Sequence, residues 1–263
     1  MEFLILGSGS SGNCALIRAG SGADSVLVAL DCGLPQRTAR TLAQSAGWSL
    51  TRVNAVILTH HHADHSLNVV GVAARARAPL YAHPDALGGH PALAAAERRR
   101  RGVEDRPYAS GAAFEVGPLR CLPVRLSHDA EPTHGFVFEA DGRRLGFFTD
   151  LGVGDSLSAQ VLEEVDTLVL EFNHDLDMLR NGPYPAHVRA RVAGDRGHLS
   201  NRQAGDVLAE RAPRTLRRLV LAHLSQKNNT AALAHAAAAA ALRRRSLDGV
   251  AVQVAPRRGP LRG

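Results

Sequence analysis

Thr59-His60-His61-His62-Ala63-Asp64-His65 stands at the end of Ala55-Val-Ile-Leu-Thr59, a short continuous apolar run of the kind that forms a strand buried on both faces. Side chains of an extended chain alternate with period two, so His60 and His62 leave the strand pointing the same way. As the loop bends, Asp64 and His65 can turn toward a second position beside the first. Neutral imidazole and carboxylate suit zinc and its neighbours, and a catalytic site needs several such ligands converging with a position left open. The HxHxDH spacing thus offers two half-sites for a metal pair roughly 3.5–4 Å apart. His61 alternates away from its neighbours and reads as a side chain facing solvent or bracing the others. A rival register, His61 and His65 four apart on a helix, lacks the glutamate of HExxH.

Working outward, the same arrangement recurs. His128 follows the apolar run Cys121–Leu126, Asp150 follows Phe147-Phe148-Thr149, and His223 follows Val220-Leu221-Ala222. Alone, a histidine in Leu126-Ser-His128-Asp reads as structural. Three further ligand types, each where an apolar strand gives way to a loop, place function on a rigid scaffold.

The intervening chain supplies the elements that such a scaffold needs. Glu2–Leu6, Cys14–Arg18 and Ser25–Leu30 are aliphatic runs bounded by Gly, Ser or Asp and read as strands. Pro35–Gly47 reads as a helix with a glycine stop, and Ser66–Arg77 and Pro91–Arg101 as helices. Leu119–Val124, Gly135–Glu139 and Arg144–Phe148 are strands, the last two joined through the hairpin signal Asp141-Gly142. Then come a helix over Ser156–Glu164, a strand over Thr167–Phe172 and a helix over Asn201–Arg211 capped by Ser200. A strand over Leu216–Leu221, the alanine-rich helix Ala231–Arg245 and a last strand Val250–Val254 complete the series. This order predicts two mixed sheets packed together with helices outside, an α/β protein of αββα four-layer type. Residues 1–255 form one domain and residues 256–263 a frayed tail.

Bulk properties set limits. With 45% hydrophobic and 21% charged residues the chain is an ordinary globular one. No stretch approaches the roughly 18 apolar residues of a membrane span. The amino terminus opens as a strand, with no basic region or cleavage site before it, so the expected location is the cytoplasm. Cys14, Cys32 and Cys121 lie inside apolar runs without CxxC spacing and read as buried free thiols. The net charge of +6 is almost all arginine, Lys227 being the only lysine. That charge permits a nucleic-acid partner without requiring one. Arg98–Arg101 and Arg243–Arg245 read as solvated helix ends.

The ordered series resembles the metallo-β-lactamase superfamily along nearly the whole chain: Asp31 in Leu30-Asp-Cys-Gly33, the HxHxDH run, His128, Asp150 and His223. The resemblance implies His60, His62 and His128 on one metal, Asp64, His65 and His223 on the other, and Asp150 bridging. Asp31 would buttress the metal loop without binding metal. Two divalent ions, Zn²⁺ or Mn²⁺ with Fe²⁺ also acceptable, would activate a hydroxide that Asp64 orients.

Within that superfamily the chain looks like the bacterial YycJ (WalJ, VicX) branch. The similar segments are Leu6-Gly-Ser-Gly-Ser-Ser-Gly-Asn13, Ser127-His-Asp-Ala130, Glu171-Phe-Asn-His-Asp175, Gly197-His-Leu-Ser-Asn201 and His223-Leu-Ser225. That branch implies 5′-to-3′ exonuclease action on DNA, with nucleic acid as the partner. It also lacks the large inserted β-CASP domain, and no insertion of that size lies between Asp150 and His223 here. Ser8–Gly12 is either an anion-cradling turn or a plain strand-to-strand turn. Ser10, Asn13 and His174 are candidate substrate contacts. His198, just before the helix capped by Ser200, is a candidate catalytic residue for the departing oxygen. The competing expectation is hydrolysis of a small ester, thioester or cyclic nucleotide on the same fold.

Overall fold

Along Thr167–Glu171 and Arg218–Ala222 the side chains sort by parity. Val169, Val220 and Ala222 enter one buried cluster, and Leu168, Leu170, Leu219 and Leu221 another. The amino-terminal strands split in the same manner. Phe3, Ile5, Ile17, Val28, Leu30 and Ile57 join the first cluster, while Leu4, Leu6, Leu16, Ala29, Val56 and Leu58 turn to a third. Two sheets therefore share one apolar interface, and each outer face requires its own cover. Full burial of a leucine or phenylalanine contributes about 1.5–3 kcal/mol, so these three clusters hold the layers together.

The computed structural model describes all 263 residues. One sheet contains β1 (Glu2–Gly7), β2 (Cys14–Ala19), β3 (Val26–Leu30), β4 (Ala55–Ile57), β5 (Leu80–Ala82) and β6 (Asp105–Pro107). The other contains β7 (Phe114–Val116), β8 (Leu119–Leu126), β9 (Thr133–Ala140), β10 (Arg143–Phe148), β11 (Thr167–Glu171), β12 (Arg218–Ala222) and β13 (Ala251–Val254). A last strand, β14 (Leu261–Arg262), returns to the first sheet, giving the order β14-β1-β2-β3-β4-β5-β6 against β13-β12-β11-β10-β9-β8-β7. In each sheet the first pairings are antiparallel; the last three, β3–β4–β5–β6 and β10–β11–β12–β13, are parallel.

The helices are α1 (Gln36–Ser45), α2 (Ala63–Ser66), α3 (Val69–Ala76), α4 (Ala95–Arg100), α5 (Leu176–Asn181), α6 (Ala186–Ala193), α7 (Asn201–Arg211) and α8 (Ala231–Arg244). Ala39 and Ala43 of α1, with Val69 and Val72 of α3, cover the outer face of the first sheet. Ala204, Val207 and Leu208 of α7, with Ala234 and Ala238 of α8, cover the second. The four-layer αββα architecture is thus the observed fold. Ser200 starts α7 with a reciprocal cap: its Oγ accepts from Gln203 N, and Gln203 Oε1 accepts from Ser200 N. The three cysteines are buried and free.

Several sequence expectations need correction. Ser156–Glu164 forms successive turns, closed largely by i→i−3 bonds and ended by Glu164 at φ 56°, so no helix develops. Ser66–Arg77 is broken because Asn68 leaves the helical path, its N bonding Cys32 O and its Nδ2 bonding Leu34 O. The residues beyond Pro256 do not fray: Leu261 and Arg262 pair with Ile5 and Leu4 and add an edge strand. Arg98 is not solvated but turns inward, its Nε donating to Asp105 Oδ1 at 2.7 Å. The short strands β5, β6 and β7 carry too few residues to show alternation. In β6, which is fully exposed, Pro107 suits an edge position. No helix is long and apolar enough to cross a membrane.

Candidate metal centre

Strand ends from both sheets deliver the side chains to one rim. Asp31 follows β3, His60 lies just beyond β4, and Asp64 and His65 sit in α2. His128 follows β8, Asp150 follows β10, Glu171 ends β11 and His223 follows β12. Three of these adopt the left-handed region, Asp31 at φ 56°, Asp150 at φ 64° and His223 at φ 56°. For a non-glycine residue this costs about 1–3 kcal/mol and recurs where function fixes the backbone. Leaving β geometry at that residue frees the side chain from the sheet's alternation.

Four of the five imidazoles have Nδ1 held by the protein, which turns Nε2 toward the centre. Thr59 Oγ1 donates to Asp31 Oδ2 and therefore accepts from His60 Nδ1 at 3.0 Å, leaving His60 Nε2 free. His128 Nδ1 donates to Gly197 O at 2.9 Å. His65 Nδ1 donates to Asp31 Oδ2 at 2.8 Å, and His223 Nδ1 to Glu171 Oε1 at 2.8 Å. His62 is turned the other way: its Nε2 lies 3.4 Å from Asp129 Oδ1, and its Nδ1 faces His128 Nε2 at 3.3 Å.

The free atoms converge. His60, His62 and His128 form one group of donor atoms, and Asp64, His65 and His223 another; Asp150 joins His65 with His60 in one group and His223 in another. Asp150 Oδ2 is 3.2 Å from His65 Nε2, and Asp64 Oδ2 is 3.6 Å from His65 Nε2 and 3.8 Å from His223 Nε2. His60 Nε2, His223 Nε2 and Asp150 Oδ2 are buried with no hydrogen-bond partner. An unpartnered buried polar atom costs on the order of 1–3 kcal/mol, so a group of them aimed together fits a cation. Neutral nitrogen with carboxylate oxygen is the donor set that borderline divalent metals take. The cluster is able to bind metal ions.

The electrostatics support this fit. Burial pushes the pKa of His60 well below its usual value, and burial with the neighbouring His128 brings His62 down to about 4, so both stay neutral. On the other side burial is outweighed by carboxylates. Asp150, Asp31 and Asp64 raise His65 well above its ordinary value, and Asp150, Asp64 and Glu171 raise His223 to about 10. Burial would raise Asp64, but the charge of His65 and the bond from His223 bring it down to about 2. The carboxylates thus demand positive charge, which protons or a divalent ion can supply.

All seven proposed ligands and Asp31 gather as expected, Asp31 tying His65 and Thr59 from behind. The three candidate substrate contacts do not share one surface. Ser10 is exposed. Asn13 is buried and spends its amide on Gly9 N, Asp64 and His65, so it braces the metal loop. His174 is fully buried beyond β11, which removes it from direct substrate contact, and burial lowers its pKa to about 4. His61 lies over Gly89, away from the cluster.

Sequence reasoning overlooked two residues. Glu171 is fully buried; its Oε1 accepts from His198 Nδ1 at 2.9 Å and from His223 Nδ1, and its Oε2 from Leu151 N and Leu199 N. A carboxylate closing an otherwise apolar buried strand was the available signal. Asp129, next to His128, faces His62 with one oxygen and Arg191 with the other.

Gly33 is the support of the metal loop. A Cβ there would lie 1.8 Å from Asp64 O. Gly33→Ala is expected to displace Asp64, lowering both the thermal midpoint and the metal content. Gly249→Ala, where a Cβ meets nothing within 4 Å, is expected to change neither. Thermal melts and elemental analysis of the two variants check this.

Residues 27–246 match the family model for the beta-lactamase superfamily domain. Exodeoxyribonuclease YycJ of Bacillus anthracis is 28% identical over 240 residues, covering 89% of this chain and 86% of its own. Exodeoxyribonuclease WalJ of Streptococcus pneumoniae is 29% identical over 238 residues, covering 89% and 85%. Among solved structures, the metallo-β-lactamase fold protein YhfI of Bacillus subtilis superposes with a TM-score of 0.70 at 17% identity, covering 100% of this chain and 99% of its own.

Proposed function

Since the chain belongs to the beta-lactamase superfamily, we propose that this metallo-hydrolase cleaves phosphodiester bonds in nucleic acid, as a 5′-to-3′ exonuclease on DNA. The observation that carries the reading is the group of buried, unpartnered ligand atoms on His60, His223 and Asp150 at the centre of the cluster. The exodeoxyribonuclease names of relatives matched over most of both chains support the choice of substrate.

His60, His62 and His128 would hold one ion and Asp64, His65 and His223 the other, with Asp150 close to ligands of both groups; zinc or manganese suits these donors, and iron is also compatible. When bound, such a pair supplies a water of lowered pKa and positive charge for the phosphate oxygens. Asp64, partly open to solvent, orients the attacking water. His198 stands between His128 and His223, with ring centroids 5.1 and 5.3 Å away. Its Nδ1 is tied to Glu171, so Nε2 is the atom that hands a proton to the departing oxygen. Burial works against a charged His198, but the Glu171 carboxylate raises its pKa above the usual value and keeps that proton available.

The test is degradation of 5′- and 3′-labelled single- and double-stranded DNA and RNA with Mn²⁺, Zn²⁺ or chelator, beside a panel of small esters. Metal-dependent release of nucleotides from the 5′ end of DNA is expected. Turnover of small esters, with every oligonucleotide left intact, would replace the reading with small-molecule hydrolysis. His198→Ala is expected to slow the single-turnover rate by about 10²- to 10⁴-fold with metal content unchanged. Loss of metal would make His198 a structural residue instead.

A further inference from the structure

Resting on the phosphodiester reading, we propose that Arg191 of α6 is the residue that grips a substrate phosphate at the mouth of the centre, and that Asp129 holds it there. α6 is unusual among the longer helices in burying no residue at all. It is anchored to the body through the segment behind it and through Arg191 itself. Ser127 Oγ donates to Asp195 O, and Gly197 O accepts from His128 Nδ1. Gly152, beside Asp150, packs so closely on Gly194 and Asp195 that a Cβ would meet their backbone at 2.4–2.6 Å. The carboxyl end of this strap is therefore bolted to the loops bearing His128 and Asp150. Arg191 projects from it, six residues before Gly197.

The guanidinium is oriented. Its Nε donates to Asp129 Oδ2, and neither Nη amino group donates to a protein acceptor. The side chain is 62% exposed. Asp129 Oδ1, at the other end of the same carboxylate, lies 3.4 Å from His62 Nε2 and 3.5 Å from His128 Nε2. One carboxylate thus borders the metal centre with a buried oxygen that no hydrogen bond satisfies, and holds a cation outside it with the other. The nearby Arg196 is differently employed, on Glu131 and the carbonyl of His128. A guanidinium held through Nε presents the paired N–H edge of its Nη groups, the geometry that takes two oxygens of a phosphate at once. Arg191 stands exposed on a helix that buries no residue, which leaves its Nη groups open to a ligand.

The test uses full-length, metal-loaded wild type, Arg191→Gln and Arg191→Lys. Inorganic phosphate is titrated directly by calorimetry, and oligonucleotide hydrolysis is resolved into kcat and KM. Metal content is measured by mass spectrometry, and the Co²⁺-substituted absorption spectrum reports ligand geometry. Arg191→Gln is expected to weaken phosphate binding and raise KM by about 10- to 100-fold, as loss of a charge-assisted pair does. Arg191→Lys restores part of the affinity, and kcat, metal content and the Co²⁺ spectrum stay near wild type. Phosphate affinity equal to wild type in Arg191→Gln overturns the assignment while leaving the phosphodiester reading intact. If wild type cleaves no phosphodiester yet binds phosphate through Arg191, the reading fails and the anion site stands. Absence of phosphate binding by metal-loaded wild type ends the assignment as well.

Discussion

Asp64→Ala is expected to bring hydrolysis down to the rate seen with chelator, a loss of at least about 10³-fold, while the fold survives. The carboxylate faces His65 and His223 at 3.6 and 3.8 Å and is held from behind by Asn13 Nδ2 at 3.2 Å. It belongs to none of the three apolar clusters, so its removal leaves the hydrophobic core intact. Its pKa, brought down to about 2, ensures that it is an anion at any pH at which the enzyme would work. Without it His65 and His223 lose one of the two anions that face them both, Asp150 being the other. Single-turnover rates on a labelled oligonucleotide and metal analysis of the purified variant decide the matter. Robust turnover by Asp64→Ala would remove the role given to that residue.

Glu171→Gln is expected to cost more in stability than any other single change at the site, about 3–5 kcal/mol, the usual size for breaking a buried charge network by one partner. The carboxylate accepts from two imidazoles and from the backbone N–H groups of Asp150, Leu151 and Leu199. An amide has one acceptor oxygen, and its NH₂ group would point at donors. The sign of the pH dependence follows from the wild-type pKa. Burial alone would raise it, but His198 and His223 bring it from 4.5 down to about 2. The stability it contributes is therefore complete above about pH 4.5 and is lost as pH falls toward 2. Urea unfolding of the metal-free proteins between pH 7 and pH 3 should show the gap between wild type and Glu171→Gln narrowing below pH 4.5. A gap independent of pH would mean that packing, not charge, is what Glu171 provides.

What could be read from the chain was what depends on short-range pattern. HxHxDH beyond an apolar run announced the half-sites because alternation on leaving a strand is local, and Ser200 with Gln203 announced α7 because a cap spans four residues. What escaped depends on partners remote in sequence. Glu171 acquires its meaning only when His198 and His223 close on it from 27 and 52 residues away. Asn13 reads as a loop residue open to substrate until β2 places it behind Asp64. His174 reads likewise until its bridge to Ser200 buries it. Ser156–Glu164 has helical composition, but turn-type bonds prevail once Leu157 and Leu162 are drawn into the core under α7. The tail from Pro256 shows no strand pattern because an edge of two residues is too short to carry one.

The division of the ligands between the two sheets has a mechanical side. Residues up to Pro107 build one sheet and residues from Phe114 to Val254 the other, the chain crossing between them at 108–113 and again on its way to Leu261. His60, His62, Asp64 and His65 belong to the first body, and His128, Asp150 and His223 to the second. Ions shared by these groups would act as rivets driven through the seam between two hemispheres. Withdrawing them would loosen a joint as well as silence a reaction. A chain cut in the exposed link at Ser110–Ala112 would still carry, on its two pieces, complementary shares of the ligand set as well as of the apolar interface.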